Sequence, residues 1–417
     1  MDRVRILKLV LWSSCGLAFA ATVRRLLFGL GSTTALSDGI PWGLWEGFNV
    51  LGGVALAAGG FVLTCAVYVL GKEEFKPLVR PTVLTAFLGY TSAVVGLVIN
   101  LGLPWNIWYP TIYWQFHSVL FEVAWCVMLY STVLALEFLP VPLESTSRLA
   151  GVRRFLVKYR LVLVILGIML STLHQSALGT LFVIMPHRLD PLWYSPILPI
   201  LFLMSAVALA PMVITLEWLV IHYLYKRQVE VHLLSKLCRC TAFVLGGYLV
   251  VRMADLMLRG SLPALFEGTW ESGFFIVEIV TSAVVPIILF SHRSTRGTVA
   301  GLAAGSISGV IGFVFNRLNV GVIAMIRATQ SSYFPAWTEI AISIGVISGA
   351  ILVFLYVVER FNVWQNRPED EEAFPHRIPR FDPIASVWLG DPVAAGFKRY
   401  SLGFIMAAAV GFSFLSF

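Results

Sequence analysis

The stretch WQFHSVLFEVAWCVMLYSTVLALEFL, residues 114–139, is apolar enough to cross a bilayer, yet it carries His117, Glu122 and Glu137. A spanning helix needs about 20 mostly apolar residues, and a carboxylate in hydrocarbon is costly enough to be functional by default. The fold turns on whether this run is one span among several, and the function on what its polar residues meet.

The rest of the chain answers the first question. It has 417 residues, 58% hydrophobic and 13% charged, with a mean hydropathy of +0.83. A water-soluble domain of that size needs far more polar surface, so the bilayer is the solvent. Backbone groups in lipid must be satisfied within the segment, which makes such runs helices. The expectation is an all-α polytopic membrane protein with ten spans. They fall at residues 6–28, 44–70, 78–101, 115–139, 159–185, 196–225, 232–258, 270–290, 298–325 and 336–358, and an apolar tail at 400–417 is a candidate eleventh. The first twenty residues imitate a secretory signal, down to Ala-Phe-Ala, but are read as a retained first span. Residues 1–43 supply that span and an outer loop. Residues 44–186 form a first four-helix bundle, 187–327 a second, 328–360 the tenth helix and 361–417 a cytoplasmic-side tail.

Charge sets the orientation. Of the 30 Lys and Arg, 23 lie in the N-terminal tail, the even-to-odd loops and the C-terminal tail, and only five lie in the alternate loops. By the positive-inside rule the N-terminus is cytoplasmic. The net charge of +7 then reflects topology and attraction to anionic lipid, and bases spread this thinly do not suit nucleic acid. The five cysteines show no iron–sulfur or zinc spacing, so the chain is expected to carry no cluster. Eight of the thirteen tryptophans fall on the outer side. The short, Pro-rich outer loops, with Trp105, Trp108, Tyr109 and Trp193 as anchors, suit either a lipid belt or a floor on which another protein docks.

Depth follows from the helical rise. Glu122 lies eight residues past Trp114, about 12 Å below the outer edge. Gln115, Ser118, Glu122 and Cys126 share a stripe, while His117 points about 140° away from Glu122. Span two brings Glu46 and Asn49, and span five brings Ser171, His174 and Gln175. Carboxylate, imidazole and amide converging in the outer half of an apolar bundle suit a lipophile with a polar head that exchanges protons. A quinone fits, because its carbonyls accept hydrogen bonds from His or Gln and a Glu can exchange its protons. Glu122 and His174 are the candidate catalytic pair; Asn49, His117 and Gln175 complete the binding set. Spans six to nine hold a second set: Arg252, Asp255, Glu278, Arg317 and their neighbours. With Glu137 and Glu217 near the inner face, they are either static ion pairs or a proton route. Small-residue steps, Thr82 to Asn100 in span three and Gly297 to Gly309 in span nine, predict close helix packing.

At these residues the chain resembles the NrfD/PsrC family, in its ten-helix branch typified by HybB, DsrP and QrcD. The likeness rests on SDGIPWGLWEGFNVLGGVALAAGG (37–60), FHSVLFEVAWCVMLY (116–130) and LHQSALGTLF (173–182), and covers nearly the whole chain. It implies a haem-free integral subunit of the bacterial inner membrane, with two four-helix bundles and menaquinone bound near the outer face of the first. It also implies partners: a periplasmic iron–sulfur subunit, a molybdopterin-type or hydrogenase-type catalytic subunit and, as a further candidate, a multihaem cytochrome c. Asn49, His117, Glu122, His174 and Gln175 match the family's site, whereas Glu46 stands where relatives often carry another residue. The tail after residue 360 resembles the menaquinone reductase and hydrogenase branches, more the former.

Two other classes compete. A b-type cytochrome subunit would ligate haem through His117 and His174, but these sit about 5 and 18 Å deep. A secondary transporter would place its site near mid-membrane on broken helices. The reading carried forward is a menaquinone-site subunit of a respiratory redox complex, reducing the quinone and coupled to proton movement.

Overall fold

The computed structural model describes residues 3–144, 149–361 and 363. Among them, ten helices are long and apolar enough to cross a membrane. They are α1 (Arg3–Phe28), α2 (Trp45–Val69), α3 (Glu73–Asn100), α4 (Val119–Leu143), α5 (Arg160–Val183), α6 (Leu198–Leu224), α7 (Val231–Leu258), α8 (Trp270–Ser291), α9 (Val299–Thr329) and α10 (Trp337–Arg360). The described residues contain no strand. The all-α, ten-span expectation holds; the tail beyond residue 363, including the apolar run at 400–417, lies outside the described residues.

One boundary moves in a way that matters. α4 starts at Val119 because Ser118 keeps an extended backbone and its side chain accepts a hydrogen bond from the Phe121 N–H, the usual service of an N-cap serine. Residues 115–118 therefore belong to the loop between α3 and α4, and His117 with them.

Helices α2 to α5 pack in one ring and α6 to α9 in another, with α1 paired against α10 alongside. Small residues set the distances. A Cβ on Gly89 would meet Ala57 of α2, and one on Gly60 would meet Ala86 of α3. On the other ring, Gly305 and Gly309 admit Phe290 and Met212, while Gly312 lies against the backbone of Ser282. Gly345 admits Ala18, which closes α10 onto α1. Without a hydrophobic drive between helices in lipid, such close approach supplies much of the attraction. The rings join where Gly47 of α2 meets Leu318 and Val322, and Gly321 of α9 meets Leu51. The buried shares of α2 and α6, 72% and 67% against 22% for α1, make them the central helices.

Three spans widen into π-helix: α2 at Trp45–Gly52 and Cys65–Val69, α8 at Val280–Val284 and α9 at Asn319–Ile323. In α8 the segment precedes Pro286, whose missing N–H cannot continue the α ladder. π turns concentrate at functional positions because they re-aim side chains, and here they carry or adjoin the buried polar groups.

Candidate functional site

The N-terminal end of α2 is fixed from three sides. Tyr333 accepts a hydrogen bond from the Leu44 N–H at 2.7 Å and donates to Glu339 at 2.5 Å, while the Trp45 indole donates to the Glu339 carbonyl. Burial and the neighbouring Glu339 push the Tyr333 phenol far above its usual range, so it stays a donor. Arg25 of α1, itself buried, donates to the carbonyls of Ile99 (2.7 Å) and Leu101, capping the C-terminus of α3. Asn100, within that capped end, donates to Glu46 at 2.7 Å. Glu46 thus has a defined partner, and Asn49 one turn deeper packs on Gly96.

Deeper in the first ring is a polar centre. His174 is fully buried and its ring meets that of Tyr90 edge-on at 5.4 Å; Tyr90 in turn meets Tyr130 at 4.6 Å. Ser171 sits close to both phenols without reaching hydrogen-bond geometry. Gln175 donates to the Val54 carbonyl at 3.0 Å. What remains is unusual: both amide atoms of Asn49, the hydroxyls of Tyr90 and Ser171, both ring nitrogens of His174 and Oε1 of Gln175 are buried without a hydrogen-bond partner among the described residues. Buried polar atoms are paired in the great majority of cases. Seven orphaned atoms from α2, α3 and α5 of one ring are the donor and acceptor set that a polar head group would satisfy.

The structure brings Asn49, His174 and Gln175 into this ring's interior, as the sequence predicts, and separates other members. His117 is exposed in the turn before α4, which corrects its placement within a span. Glu122 is half-buried in the first turn of α4, and no described residue pairs with its side chain. Cys126 and Tyr130 follow Glu122 at steps of four, so the stripe leads from the N-terminal end of α4 to Tyr130 in the polar centre. Tyr90 and Tyr130 were not among the predicted residues. The four-residue step from Glu122 through Cys126 was a signal for Tyr130; nothing in the sequence marks Tyr90.

The second ring is bound up differently. Glu278 accepts from the Trp193 indole (2.8 Å), Asn316 (2.7 Å) and Asn319 (2.6 Å). Arg317 donates to the Phe202 carbonyl, Ser205 and Asn316, and lies over the Phe202 ring. Asp255 pairs with Arg259 at 2.9 Å and accepts from Ser195, with Arg252 4.0 Å away. Glu278 is therefore held by an indole and two amides, where the sequence suggested an ion pair. Trp193, expected as a surface anchor, is fully buried as one of its donors. Toward the opposite end of the first ring, Glu217 accepts from Thr85 at 2.8 Å, and Glu137 lines a cavity with Tyr68, Lys76, Arg80 and Arg160. No group of described His, Cys, Asp or Glu side chains could hold a metal ion.

Residues 32–330 match the family model for polysulphide reductase, NrfD. The chain belongs to the NrfD family. A protein of Nitratidesulfovibrio vulgaris is 37% identical over 363 residues, covering 84% of this chain and 92% of its own. The probable Ni/Fe-hydrogenase 2 b-type cytochrome subunit of Escherichia coli is 32% identical, covering 81% and 86%. The menaquinone reductase integral membrane subunit of N. vulgaris is 26% identical, covering 84% and 91%. Family membership agrees with the resemblance read from residues 37–60, 116–130 and 173–182. This NrfD-family chain is thus a multi-pass membrane protein similar to membrane subunits of redox enzymes.

Proposed function

We propose that the chain is the menaquinone-site subunit of a respiratory complex in the bacterial inner membrane, with its N-terminus cytoplasmic. It anchors periplasmic iron–sulfur and catalytic subunits on its outer face, where Trp105, Tyr109 and Trp114 are exposed. The observation that carries this reading is the convergence of orphaned polar atoms on Asn49, Tyr90, Ser171, His174 and Gln175 inside one ring. Menaquinone supplies an acceptor of two electrons and two protons, and the electrons come from the partner subunits. Amide and imidazole N–H groups of Asn49 and His174 orient its carbonyl oxygens. Glu122 at the outer end of the stripe exchanges protons with the outer side of the site, and the surrounding apolar helices exclude bulk water.

A proton route from the inner face is favoured in the first ring. Glu137 lies seven residues inward of Tyr130 on α4, about 10 Å, and Tyr130 is in contact with Tyr90. Arg252, Asp255, Glu278 and Arg317 are structural in this reading, because Asp255 and Glu278 each accept from several donors and Arg252 and Arg317 hold the backbone carbonyls of Leu192 and Phe202.

The b-type cytochrome reading takes its support from the name of the E. coli relative. It meets a geometric obstacle, since His174 is buried against Tyr90 while His117 lies exposed outside α4. Two axial ligands must face each other across one haem.

His174→Asn and Glu122→Gln, made in the assembled complex, test the quinone site. Each should lower quinone-linked turnover at least about tenfold, the loss of one charge-assisted or positioning hydrogen bond, while subunit assembly persists. Near-normal turnover in both variants would move the site elsewhere. A pyridine haemochrome spectrum separates the cytochrome reading.

A further inference from the structure

Some carboxylates within the spans are saturated with donors. Glu339 accepts from the Ala35 and Ala336 N–H groups at 2.7 and 3.1 Å and from the Tyr333 hydroxyl at 2.5 Å. Glu278 has its indole and two amides. Glu46 is held differently. Its Oε1 accepts from the Asn100 amide at 2.7 Å, and no described residue bonds its Oε2 or pairs a cation with it. Arg25, which reaches the same end of α3, gives its N–H groups to the carbonyls of Ile99 and Leu101. An amide would clamp α2 to α3 as well as a carboxyl does, but only a carboxyl can exchange a proton. A carboxyl in a span without a cation is costly enough to call for a use.

The atoms around Glu46 supply one. Asn100 commits its amide N–H to Glu46, and its Oδ1 is buried without a partner among the described residues. Both amide atoms of Asn49, three residues further along α2, are in the same state. Glu46 meets α3 at Asn100 and Asn49 meets it at Gly96, four residues away, so these unmet atoms lie on adjacent turns beside the carboxyl. Six residues separate Gly96 from Tyr90, about 9 Å along α3, and there the ring of Tyr90 meets that of His174. Orphaned atoms thus stand at both ends of this interval. A head group with an acceptor oxygen at each of two opposite edges, each taking a hydrogen bond of about 2.8 Å, suits two sets so spaced. Glu46 itself is half-buried between the buried Trp45 and Gly47, so it is the member of its set with access to the surface.

We infer, resting on the quinone site proposed above, that Glu46 delivers a proton to the quinone oxygen oriented by Asn49, while His174 orients the other. The electron pair comes from the iron–sulfur partner. An O–H bond forms at that oxygen as the O–H bond of Glu46 breaks, and the carboxylate left behind takes its next proton from the aqueous phase at the N-terminal end of α2. The second proton belongs to Glu122, whose stripe on α4 leads to Tyr130 against Tyr90.

The experiment uses the assembled complex and a short-tail naphthoquinone. Binding is read by titration calorimetry, and proton transfer by the infrared difference spectrum between the oxidised and reduced quinone-loaded complex. In wild type and in Glu122→Gln, reduction should perturb a carboxylic acid C=O band. Glu46→Gln keeps an oxygen that accepts from Asn100 and loses only the acid proton. It should bind the naphthoquinone as wild type does, lack that band, and turn over about a hundredfold more slowly, the lower range of general acid catalysis. Glu46→Asp should restore the band and part of the turnover. Wild-type turnover and an unchanged band in Glu46→Gln would make Glu46 a clamp and overturn the inference. The quinone site is judged separately by His174→Asn, which should weaken naphthoquinone binding about tenfold. That weakening beside an indifferent Glu46→Gln would remove Glu46 alone, whereas a wild-type complex that binds no naphthoquinone would overturn both.

Discussion

Glu278 and His174 are both fully buried, yet they sit in opposite circumstances. Glu278 has three donors within 2.8 Å, whereas neither nitrogen of His174 has a partner among the described residues. Hydrogen bonds to a buried charge are worth more than neutral ones, and an unmet polar atom costs its full desolvation. The first arrangement is what a structural hub needs; the second is what a binding site retains. Glu278→Gln replaces one acceptor oxygen by a donor facing Asn316 or Asn319. It should destabilise the protein by about 2–3 kcal/mol, read as a lowered midpoint of thermal unfolding in detergent. Quinone-linked turnover per folded complex should be unchanged; a selective loss of turnover at unchanged stability would put Glu278 in the chemistry.

Among the elements, α2 has the most consequence. Its π segment at Trp45–Gly52 carries Glu46 and Asn49 on a backbone pinned at the outer end by Tyr333 and Glu339. α3 supplies the opposing surface through Gly96, where an added Cβ would stand 2.9 Å from the Asn49 Cβ and 3.2 Å from its amide nitrogen. Gly96→Ala should therefore push Asn49 off its position. Overpacking of this kind costs about 1–3 kcal/mol, and here it should appear as a KM for a quinone analogue raised about tenfold. Gly246→Ala on α7, where nothing lies within 4 Å of the new methyl, is the matched control. A KM in Gly96→Ala equal to that control would mean Asn49 does not touch the quinone.

At the scale of the molecule, two rings of four helices meet at α2, α6 and α9, and the unpaired buried atoms of the first ring include an imidazole, a phenol and two amides, whereas those of the second include atoms of Arg252, Arg317, Asn319, Ser282 and Ser306. The inner cavity with Glu137, the Tyr130–Tyr90–His174 contacts and the outer turn with Glu122 lie in succession from one face to the other. If this succession carries protons, the intact complex in proteoliposomes should build a membrane potential during donor-driven quinone reduction. Glu137→Gln should weaken that potential several-fold while turnover continues. Full turnover without a potential in the wild-type complex would assign the protons to the outer side. In that case Glu137 serves only the inner cavity.

Span number, helical class and the basic face were legible along the chain, because each depends on local quantities: run length, apolar content and the count of Lys and Arg per loop. Asn49, His174 and Gln175 could be named because a polar side chain in a twenty-residue apolar run stands out whatever its neighbours are. Tertiary structure alone decided the rest. The start of α4 depends on a single Ser118 cap, which carried His117 out to the surface. Whether Trp193 anchors a partner or serves Glu278 depends on a contact across 85 residues of chain. Tyr90 joined the site only when α3, α4 and α5 were packed, since an aromatic residue in an apolar span looks the same from sequence whether it faces lipid or an imidazole. Pairing is a property of two positions brought together, and periodicity along one helix describes only the face from which each of them starts.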